Sequence, residues 1–245
     1  MFHWFRKPKQ KVLPFATDIH CHLTPGIDDG SPDVDKSVVL LQHMEEWGIK
    51  RIVMTPHVTE DTFENTPATI DPAFGSLVAG VRNAGIGIGL LPPSGEYRMD
   101  SFFVKCLGDG LVRSLPGGYL LVENSFNIEP WNIDELLFDL TVKGYRPVLA
   151  HPERYVYYHS QPRRYIKLHQ SGVFMQCNLL SFAGYYGKDI RQMAYWMLDN
   201  GLVDFLGTDL HGMRHVEAIG RFMSTRDYDR LSKRVEGHVL NDLIK

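Results

Sequence analysis

Histidine and carboxylate side chains recur at the ends of apolar segments in this chain, within the patterns DIHCH, PGIDDG, TPH, HPERY and TDLH. Side chains alternate between faces in an extended segment, so His20 and His22 point the same way, and so do Asp209 and His211. Cys21 points to the opposite face and is expected to be buried filler. Imidazoles and carboxylates bind divalent metals, which activate water and stabilise phosphoryl charge.

Nine residues make up the candidate ligand set, and each has an ordinary structural alternative. A histidine at a strand end is more often a hydrogen-bonded polar residue, Asp28 or Asp29 can bind its own backbone in a turn, and Glu123 can pair with Arg or Lys. These alternatives do not explain why six of the seven predicted strands end in such a group. The set is His20, His22, Asp29, His57, Glu96, Glu123, His151, Asp209 and His211.

The other histidines fall in the first residues, on predicted helices or in loops away from strand ends, and are interpreted as surface or packing residues. His215 follows the seventh strand closely and fits this group least well. The remaining members are His3, His43, His159, His169 and His238.

The elements that must position these groups alternate along the chain. Short apolar runs, typical of parallel strands buried on both faces, alternate with segments of helical spacing, which predicts a parallel sheet with right-handed crossovers. Because the polar groups follow many different strands, a barrel is favoured over a doubly wound sheet. Pro56 is expected to stop its strand and leave His57 in a loop. The predicted strands are residues 16–22, 51–57, 86–96, 119–125, 147–151, 173–179 and 204–211.

Cap signals predict the helices between these strands. Ser31 is expected to cap the first helix before Pro32, and Asp71 with Pro72 to open the second. The stretch from Asp100 to Gly118 has no clear pattern. Further helices are predicted over 133–142, 162–170 and 189–200, and one or two from 215 onward.

The composition is that of an ordinary globular protein. The 245 residues are 44% hydrophobic and 22% charged, with a formal net charge of −3, which disfavours a nucleic-acid partner. No apolar run approaches the roughly 18 residues that span a bilayer, so the protein is not expected to be transmembrane. Three cysteines without a CxxC pair fit a reducing compartment, and the cytoplasm is the expected location.

Residues 1–14 are predicted to be a flexible leader before a single domain over residues 15–245. The leader lacks the apolar core and cleavage site of a secretory signal. Its aromatic residues, Phe2, Trp4 and Phe5, lie beside basic ones, so weak peripheral contact with a membrane is the alternative to a frayed terminus.

The order DIHCH, DDG, TPH, a strand-three glutamate, LAHPERY and GTDLH resembles the PHP (polymerase and histidinol phosphatase) superfamily. More narrowly, it resembles the capsule and exopolysaccharide type of bacterial PHP tyrosine-protein phosphatase. The resemblance runs from Asp18 to His211. It implies a distorted (β/α)7 TIM-like barrel with two or three divalent ions at the C-terminal strand ends, manganese first, with iron or zinc as alternatives.

The resemblance also implies roles for individual residues. Arg154 in HPERY matches a position that binds substrate phosphate, and Arg214 is the nearest candidate for a second arginine, although its spacing differs. The implied ligands are His20, His22, Asp209 and Glu96 for one ion, Glu96, Glu123 and His151 for a second, and Asp29, His57 and His211 for a third.

The implied activity is hydrolysis of protein phosphotyrosine, with a tyrosine kinase that governs polysaccharide export as the partner. No cysteine is followed by the C-x5-R spacing of cysteine phosphatases. Two alternatives stay open: a small-molecule phosphatase of the same superfamily, such as one acting on histidinol phosphate, and a non-catalytic metal-binding regulatory module. Six tyrosines near the predicted strand ends have two possible roles, flanking the phosphotyrosine ring or packing within loops. They are Tyr97, Tyr155, Tyr157, Tyr158, Tyr185 and Tyr186.

Overall fold

The computed structural model of the chain describes residues 11–245, and within them nine short strands pair in parallel. One sheet has the order β1-β2-β4 and the other the order β3-β5-β6-β7-β8-β9. The strands are β1 (Thr17–Asp18), β2 (Arg51–Ile52), β3 (His57–Val58), β4 (Gly89–Leu90), β5 (Glu96–Arg98), β6 (Tyr119–Glu123), β7 (Arg146–Ala150), β8 (Phe174–Asn178) and β9 (Phe205–Gly207).

Backbone hydrogen bonds join the two sheets into one ring. The amide of Glu96 donates to the carbonyl of Pro56 at 2.9 Å, at the step from β2 and β4 to β3 and β5. On the far side the amide of Asp209 donates to the carbonyl of His20 at 2.9 Å, so the segment after β9 pairs with the segment after β1. The fold is therefore a distorted (β/α)7 TIM-like barrel, as predicted.

The seven predicted strand segments are all present, but two of them are interrupted. Residues 51–57 divide into β2 and β3, and residues 86–96 divide into β4 and β5. The expectation that Pro56 leaves His57 in a loop is wrong. Pro56 has no N–H to donate and breaks the ladder only locally, and pairing resumes at His57, which lies opposite Glu96.

Helices follow the strands in ten segments of the described chain. They are α1 (Val34–Glu46), α2 (Pro67–Ala84), α3 (Ser101–Gly108), α4 (Ile133–Val142), α5 (Val156–His159), α6 (Arg163–Gln170), α7 (Leu179–Phe182), α8 (Lys188–Asp199), α9 (Met213–Met223) and α10 (Arg226–Val235). The predictions for α4, α6, α8 and the C-terminal pair are confirmed within a few residues, whereas α3 was not predicted.

Two predicted helix starts are wrong. Asp33, not Ser31, caps α1, because its carboxylate accepts the amide of Lys36 at 2.8 Å while Ser31 is buried and donates to the carbonyl of Asp33. The second helix begins at Pro67, after a capping box built on Thr66.

Successive residues of β6 pack into two apolar clusters. Leu121 joins Ile19, Val53 and other strand residues inside the barrel, whereas Leu120 and Val122 face the helices. Both faces of the strand are buried, as its continuous apolar run predicts. The close-packed interior holds the C-terminal strand ends in fixed relative positions.

Residues 1–10, including His3 and most of the predicted leader with its membrane contact, lie outside the described residues. Residues 11–14 pack on the barrel: Leu13 is buried, and its amide donates to the carbonyl of Trp47 at 2.8 Å. Lys11 pairs with Asp229 at 2.5 Å. The assignment of residues 15–245 to one domain stays a prediction. From residue 11 onward, no helix is long and apolar enough to cross a membrane.

Candidate metal centre

All nine predicted ligands lie together at the C-terminal ends of the strands. The Nε2 atoms of His20 and His22 are 3.3 Å apart, which confirms that the two rings share a face. Cys21 between them is fully buried beside Met54 on the other face, as predicted. The possible ligand atoms fall into overlapping groups: His22, Asp29, His57 and His211; His20, Glu96 and His151; His20, His22 and Asp209; and His57, Glu96 and Glu123.

His57 lies between carboxylates that the resemblance assigns to different ions. Its Nδ1 atom is 3.0 Å from Oε2 of Glu96 and 3.6 Å from Oε1 of Glu123. Its Nε2 atom is 3.5 Å from Oδ1 of Asp29. The structure therefore gathers the predicted set, while the division of the ligands among individual ions stays a prediction.

Two members of the set have a backbone conformation that L residues rarely adopt. His151 has a φ of 35° and Asp209 a φ of 49°, both in the left-handed region. Such conformations persist where the surrounding structure imposes them, and they concentrate at functional sites. Here they occur where the chain leaves β7 and β9.

Hydrogen bonds on the far nitrogen orient three of the histidine rings. Nδ1 of His22 lies 2.8 Å from Oδ2 of Asp28, and Nδ1 of His211 lies 2.9 Å from the carbonyl of Asp209. Nδ1 of His20 lies 2.7 Å from Oε1 of Gln176. An acceptor at Nδ1 fixes the tautomer that leaves Nε2 free for a cation.

Asp28 and Gln176 are positioning residues that sequence reasoning did not assign. Asp28 does accept the amide of Gly30 at 3.0 Å, as its turn position predicts, but its other oxygen faces His22. The only signal for Gln176 is a polar residue in the middle of the buried strand β8.

Glu123 has the arginine partner that its burial requires. Arg98 lies beside it, with Nη2 3.0 Å and Nε 3.2 Å from Oε1. Burial of Glu123 alone is therefore not evidence for a metal. Its second oxygen, Oε2, is buried without a hydrogen-bond partner.

Four buried atoms of the predicted ligands make no hydrogen bond: Nδ1 of His57 and of His151, and Oε2 of Glu96 and of Glu123. Nδ1 of His57 and Oε2 of Glu96 are 3.0 Å apart, but their orientation is not that of a hydrogen bond. Buried polar atoms in proteins are nearly always bonded, and leaving one unbonded is costly. Bound cations would give these clustered atoms the partners that they lack. The donor set, nitrogen and oxygen without thiolate, fits Mn, Fe or Zn.

Electrostatics favour the ionised form of Glu96 in the cluster. Burial opposes ionisation of Glu96, but the charges of His20, His57 and His151 outweigh it and hold its pKa well below the usual range. Burial and His22 lower the pKa of His57, but Glu96 and its neighbours raise it to about 10. Metal binding to this cluster therefore displaces protons from imidazoles.

A cavity of about 280 Å³ opens over the cluster, and Arg154 lies in its wall. The guanidinium is 3.0 Å from Oδ2 of Asp209 and lies between the rings of Phe126 and Tyr186, at 4.5 and 4.2 Å from their centroids. Stacking and ion pairing fix the plane of this side chain. Arg154 thus presents its remaining N–H groups near the cluster.

The residue before Arg154 in HPERY ties two loops together. Glu153 is fully buried, and its Oε1 accepts the amide of Asn178 at 2.9 Å and the hydroxyl of Ser181 at 2.6 Å. These bonds connect the loop after β7 to the end of β8. Glu153 therefore helps to position the loop that carries Arg154.

The lining of this cavity includes His215 rather than its neighbour Arg214. Arg214 is exposed at the start of α9 and is not in the lining, whereas His215, interpreted as a surface or packing residue, is. Side chains of successive helix residues point about 100° apart, which separates the two.

The aromatic residues at the cavity differ from the expected ones. Packing is the correct interpretation for Tyr97, Tyr155 and Tyr158, which are buried. Of the six tyrosines only Tyr186 lines the cavity, and Phe126, which follows β6, was missed.

Comparison with known proteins assigns the chain to a family. A family model described as capsular polysaccharide synthesis, CpsB/CapC, matches residues 16–226. The chain belongs to the CpsB/CapC family. Among relatives of this CpsB/CapC protein, tyrosine-protein phosphatase YwqE of Bacillus subtilis is 31% identical over 198 residues, 80% of this chain and 78% of that protein. Tyrosine-protein phosphatase CpsB of Streptococcus pneumoniae is 24% identical, over 80% of this chain and 83% of that protein.

Solved structures agree with the CpsB/CapC assignment. One, from crystal structures of YwqE from Bacillus subtilis and CpsB from Streptococcus pneumoniae, unique metal-dependent tyrosine phosphatases, matches with a TM-score of 0.76 at 28% identity. It covers 91% of this chain and 95% of that chain. The lactonase Lmo2620 of Listeria monocytogenes matches at 11% identity with a TM-score of 0.57, a likeness of fold alone.

Proposed function

We propose that this CpsB/CapC protein is a metal-dependent protein-tyrosine phosphatase, and that its substrate is a tyrosine kinase controlling capsular or exopolysaccharide synthesis. The observation that carries the proposal is the convergence of nine histidine and carboxylate side chains in one cluster, with Arg154 in the wall of the cavity over it. Two phosphatase relatives that align over 80% of the chain support it.

The nine ligands would hold two or three divalent ions, with manganese first and iron or zinc as alternatives. Bound ions would lower the pKa of a water molecule, and their positive charge would stabilise the phosphoryl group in the transition state. Arg154 adds N–H donors for the phosphoryl oxygens, held in plane by Phe126 and Tyr186. Phe126 and Tyr186 also line the cavity that a substrate tyrosine ring would enter, so they can contact that ring.

Cysteine chemistry is not part of the proposed mechanism. The three cysteines of the chain, Cys21, Cys106 and Cys177, are all buried, so none reaches a substrate. Burial raises the pKa of the Cys21 thiol well above its ordinary value, which removes the nucleophilic thiolate. Direct attack by water, without a covalent phosphoenzyme, is therefore the proposed route.

The competing functions are distinguished by substrate. With metal added, we expect turnover of a phosphotyrosyl peptide with kcat/KM at least about 100-fold above that of a phosphoseryl peptide or histidinol phosphate. A preference for histidinol phosphate would indicate the small-molecule phosphatase. Inertness toward all three substrates in metal-loaded protein would indicate the regulatory module. Phosphate contact by Arg214 and a cytoplasmic location stay predictions.

A further inference from the structure

Two more cavities lie along helices α8, α9 and α10. One of about 530 Å³ lies between α8 and α10, and one of about 350 Å³ lies between α8 and α9. Arg191 and Asp227 line both, so the two cavities are neighbours that meet at this ion pair. The cationic residues lining them are Arg191, Arg221, Arg230, Lys233 and Arg234, which we call the basic groove.

The basic groove differs in charge from the protein as a whole. Five cationic side chains and one carboxylate, Asp227, line the two cavities, whereas the chain carries a formal net charge of −3. Clustering of one sign of charge in a concave surface concentrates the field there. The basic groove therefore attracts anionic partners even though the protein is acidic.

Ion pairs within the protein neutralise only part of the positive charge of the basic groove. Arg191 and Arg230 share the single carboxylate of Asp227, at 2.6 and 3.4 Å. Lys233 is exposed and has no ion-pair or hydrogen-bond partner within residues 11–245. Each guanidinium has five N–H groups, so donors remain for a ligand.

Two further ion pairs flank the groove. Arg234 reaches Asp199 at 2.7 Å, and Arg221 reaches Glu217 at 3.7 Å. Asp199 and Glu217 are not among the residues that line the two cavities. Exposed pairs of this kind are weak, so an incoming carboxylate or phosphate can replace them.

Aromatic rings connect the basic groove to the cavity over the metal centre. Tyr185 lines the smaller of the two groove cavities. Its ring contacts those of Tyr186 and His215, at centroid distances of 5.2 and 5.1 Å, and both of these residues line the metal-centre cavity. A polypeptide whose side chain enters that cavity can therefore continue across Tyr185 into the groove.

We infer that the basic groove binds an acidic segment of the substrate protein that flanks the phosphotyrosine. The inference rests on the proposed function. A cavity of about 280 Å³ accommodates a phosphotyrosine side chain but not the surrounding polypeptide, which must lie on the adjacent surface. The charge of that surface selects aspartate, glutamate or a further phosphorylated residue. Its concave shape suits an extended chain rather than a flat lipid surface.

The test compares phosphotyrosyl peptides that share one core and differ in flanking residues. Three glutamates, three glutamines or a second phosphotyrosine are placed on either side, and kcat/KM is measured at two salt concentrations. We expect the better acidic peptide to exceed the glutamine peptide by about 10-fold at low salt, mainly through KM, and less at high salt. The glutamate and second-phosphotyrosine arms separate the two sources of negative charge.

Variants test whether the basic groove causes the preference for acidic peptides. Arg230→Gln with Lys233→Gln should reduce the ratio of acidic to neutral kcat/KM toward 1, because two of the five cationic side chains of the groove are removed. Lys143→Gln, an exposed change at the C-terminus of α4, is the matched control and should keep the ratio. A ratio of 1 in the unmodified protein, or an unchanged ratio in the double variant, overturns the inference while leaving the proposed function intact.

Binding provides a second measurement that does not need turnover. A fluorescent acidic peptide with a non-hydrolysable phosphotyrosine mimic should bind more tightly than its glutamine counterpart, and the double variant should reduce the difference. If no peptide is hydrolysed, the proposed function fails. The difference in binding then still shows whether the basic groove binds acidic segments. Equal binding of the two peptides, together with groove-dependent binding to phosphatidylglycerol vesicles, overturns the inference in favour of a membrane surface.

Discussion

Oε1 of Gln176 lies 2.7 Å from Nδ1 of His20, and the ring that it orients places Nε2 3.3 Å from Nε2 of His22. A side chain in the middle of β8 thus fixes a ligand that follows β1. Gln176 is itself held, because its amide donates to Oδ1 of Asn178 at 2.8 Å. The ligands depend on this supporting set of polar contacts as much as on the strand ends.

Replacing Gln176 by leucine should weaken metal binding. Loss of such a supporting hydrogen bond costs about 10- to 100-fold in metal affinity. Affinity is measured by competition with a chromogenic chelator. Gln176→Glu keeps an acceptor at Nδ1 and should retain most of the affinity, and Gln170→Leu, an exposed change, is the control. Equal affinities in all three variants would show that Gln176 does not orient His20.

Arg154 is expected to act on the substrate phosphoryl group. Arg154→Lys should lower kcat/KM for a phosphotyrosyl peptide by about 100-fold, because lysine cannot supply the planar pair of donors. Metal content should stay within error of the unmodified protein. Arg163→Lys, exposed at the start of α6, is the control. An unchanged kcat/KM would exclude the phosphate contact, and Arg214→Ala in the same assay tests the second predicted arginine.

Gly30 allows the turn of Asp28 and Asp29 to approach His22. A Cβ atom at Gly30 would lie 2.0 Å from the carbonyl oxygen of His22. Gly30→Ala should therefore move the backbone at His22 and lower the metal content. It should also lower the free energy of unfolding by about 1–3 kcal/mol.

Gly75 provides the matched control for that substitution. A Cβ atom there meets nothing within 4 Å, and the residue is exposed in α2. Gly75→Ala should stabilise the protein by up to about 1 kcal/mol through helix propensity. Denaturant titration and elemental analysis measure both effects. Normal metal content in Gly30→Ala would contradict the close approach.

Metal removal should destabilise the fold as well as stop turnover. Ions that bind only the native state add about 2.7 kcal/mol to the free energy of unfolding at a free concentration 100 times the dissociation constant. The buried unbonded atoms of His57, His151, Glu96 and Glu123 are the groups that gain partners. The melting temperature should therefore rise with added manganese after treatment with chelator. A melting temperature independent of metal would contradict this linkage.

The ligand set could be predicted because it depends on local rules. The period of two placed His20 and His22 on one face, and the parallel repeat placed all strand ends together, as the structure confirms. Arg98 and Gln176 could not be found in this way, because their contacts with Glu123 and His20 join different strands. Such pairings depend on register, which the sequence pattern does not specify.

Local signals also failed where two equivalent residues compete. Ser31 and Asp33 are both good N-cap types two residues apart, and the propensity of the residue type does not say which of them caps the helix. Pro67 and Pro72 are both residues that can open a helix, but the capping box of Thr66 starts α2 at Pro67 and leaves Pro72 inside the helix. Arg214 and His215 are neighbours in sequence, and only the rotation of α9 places His215 in the cavity wall.

The measurement that tests the account most directly is activity against metal content. Protein stripped with chelator is loaded stepwise with manganese, and bound metal and hydrolysis of a phosphotyrosyl peptide are followed together, with Glu96→Gln in parallel. We predict negligible turnover without metal, full turnover at two or three ions per chain, and loss of both metal and turnover in Glu96→Gln. Undiminished kcat/KM in protein with less than about 0.1 ion per chain would contradict a metal-dependent phosphatase.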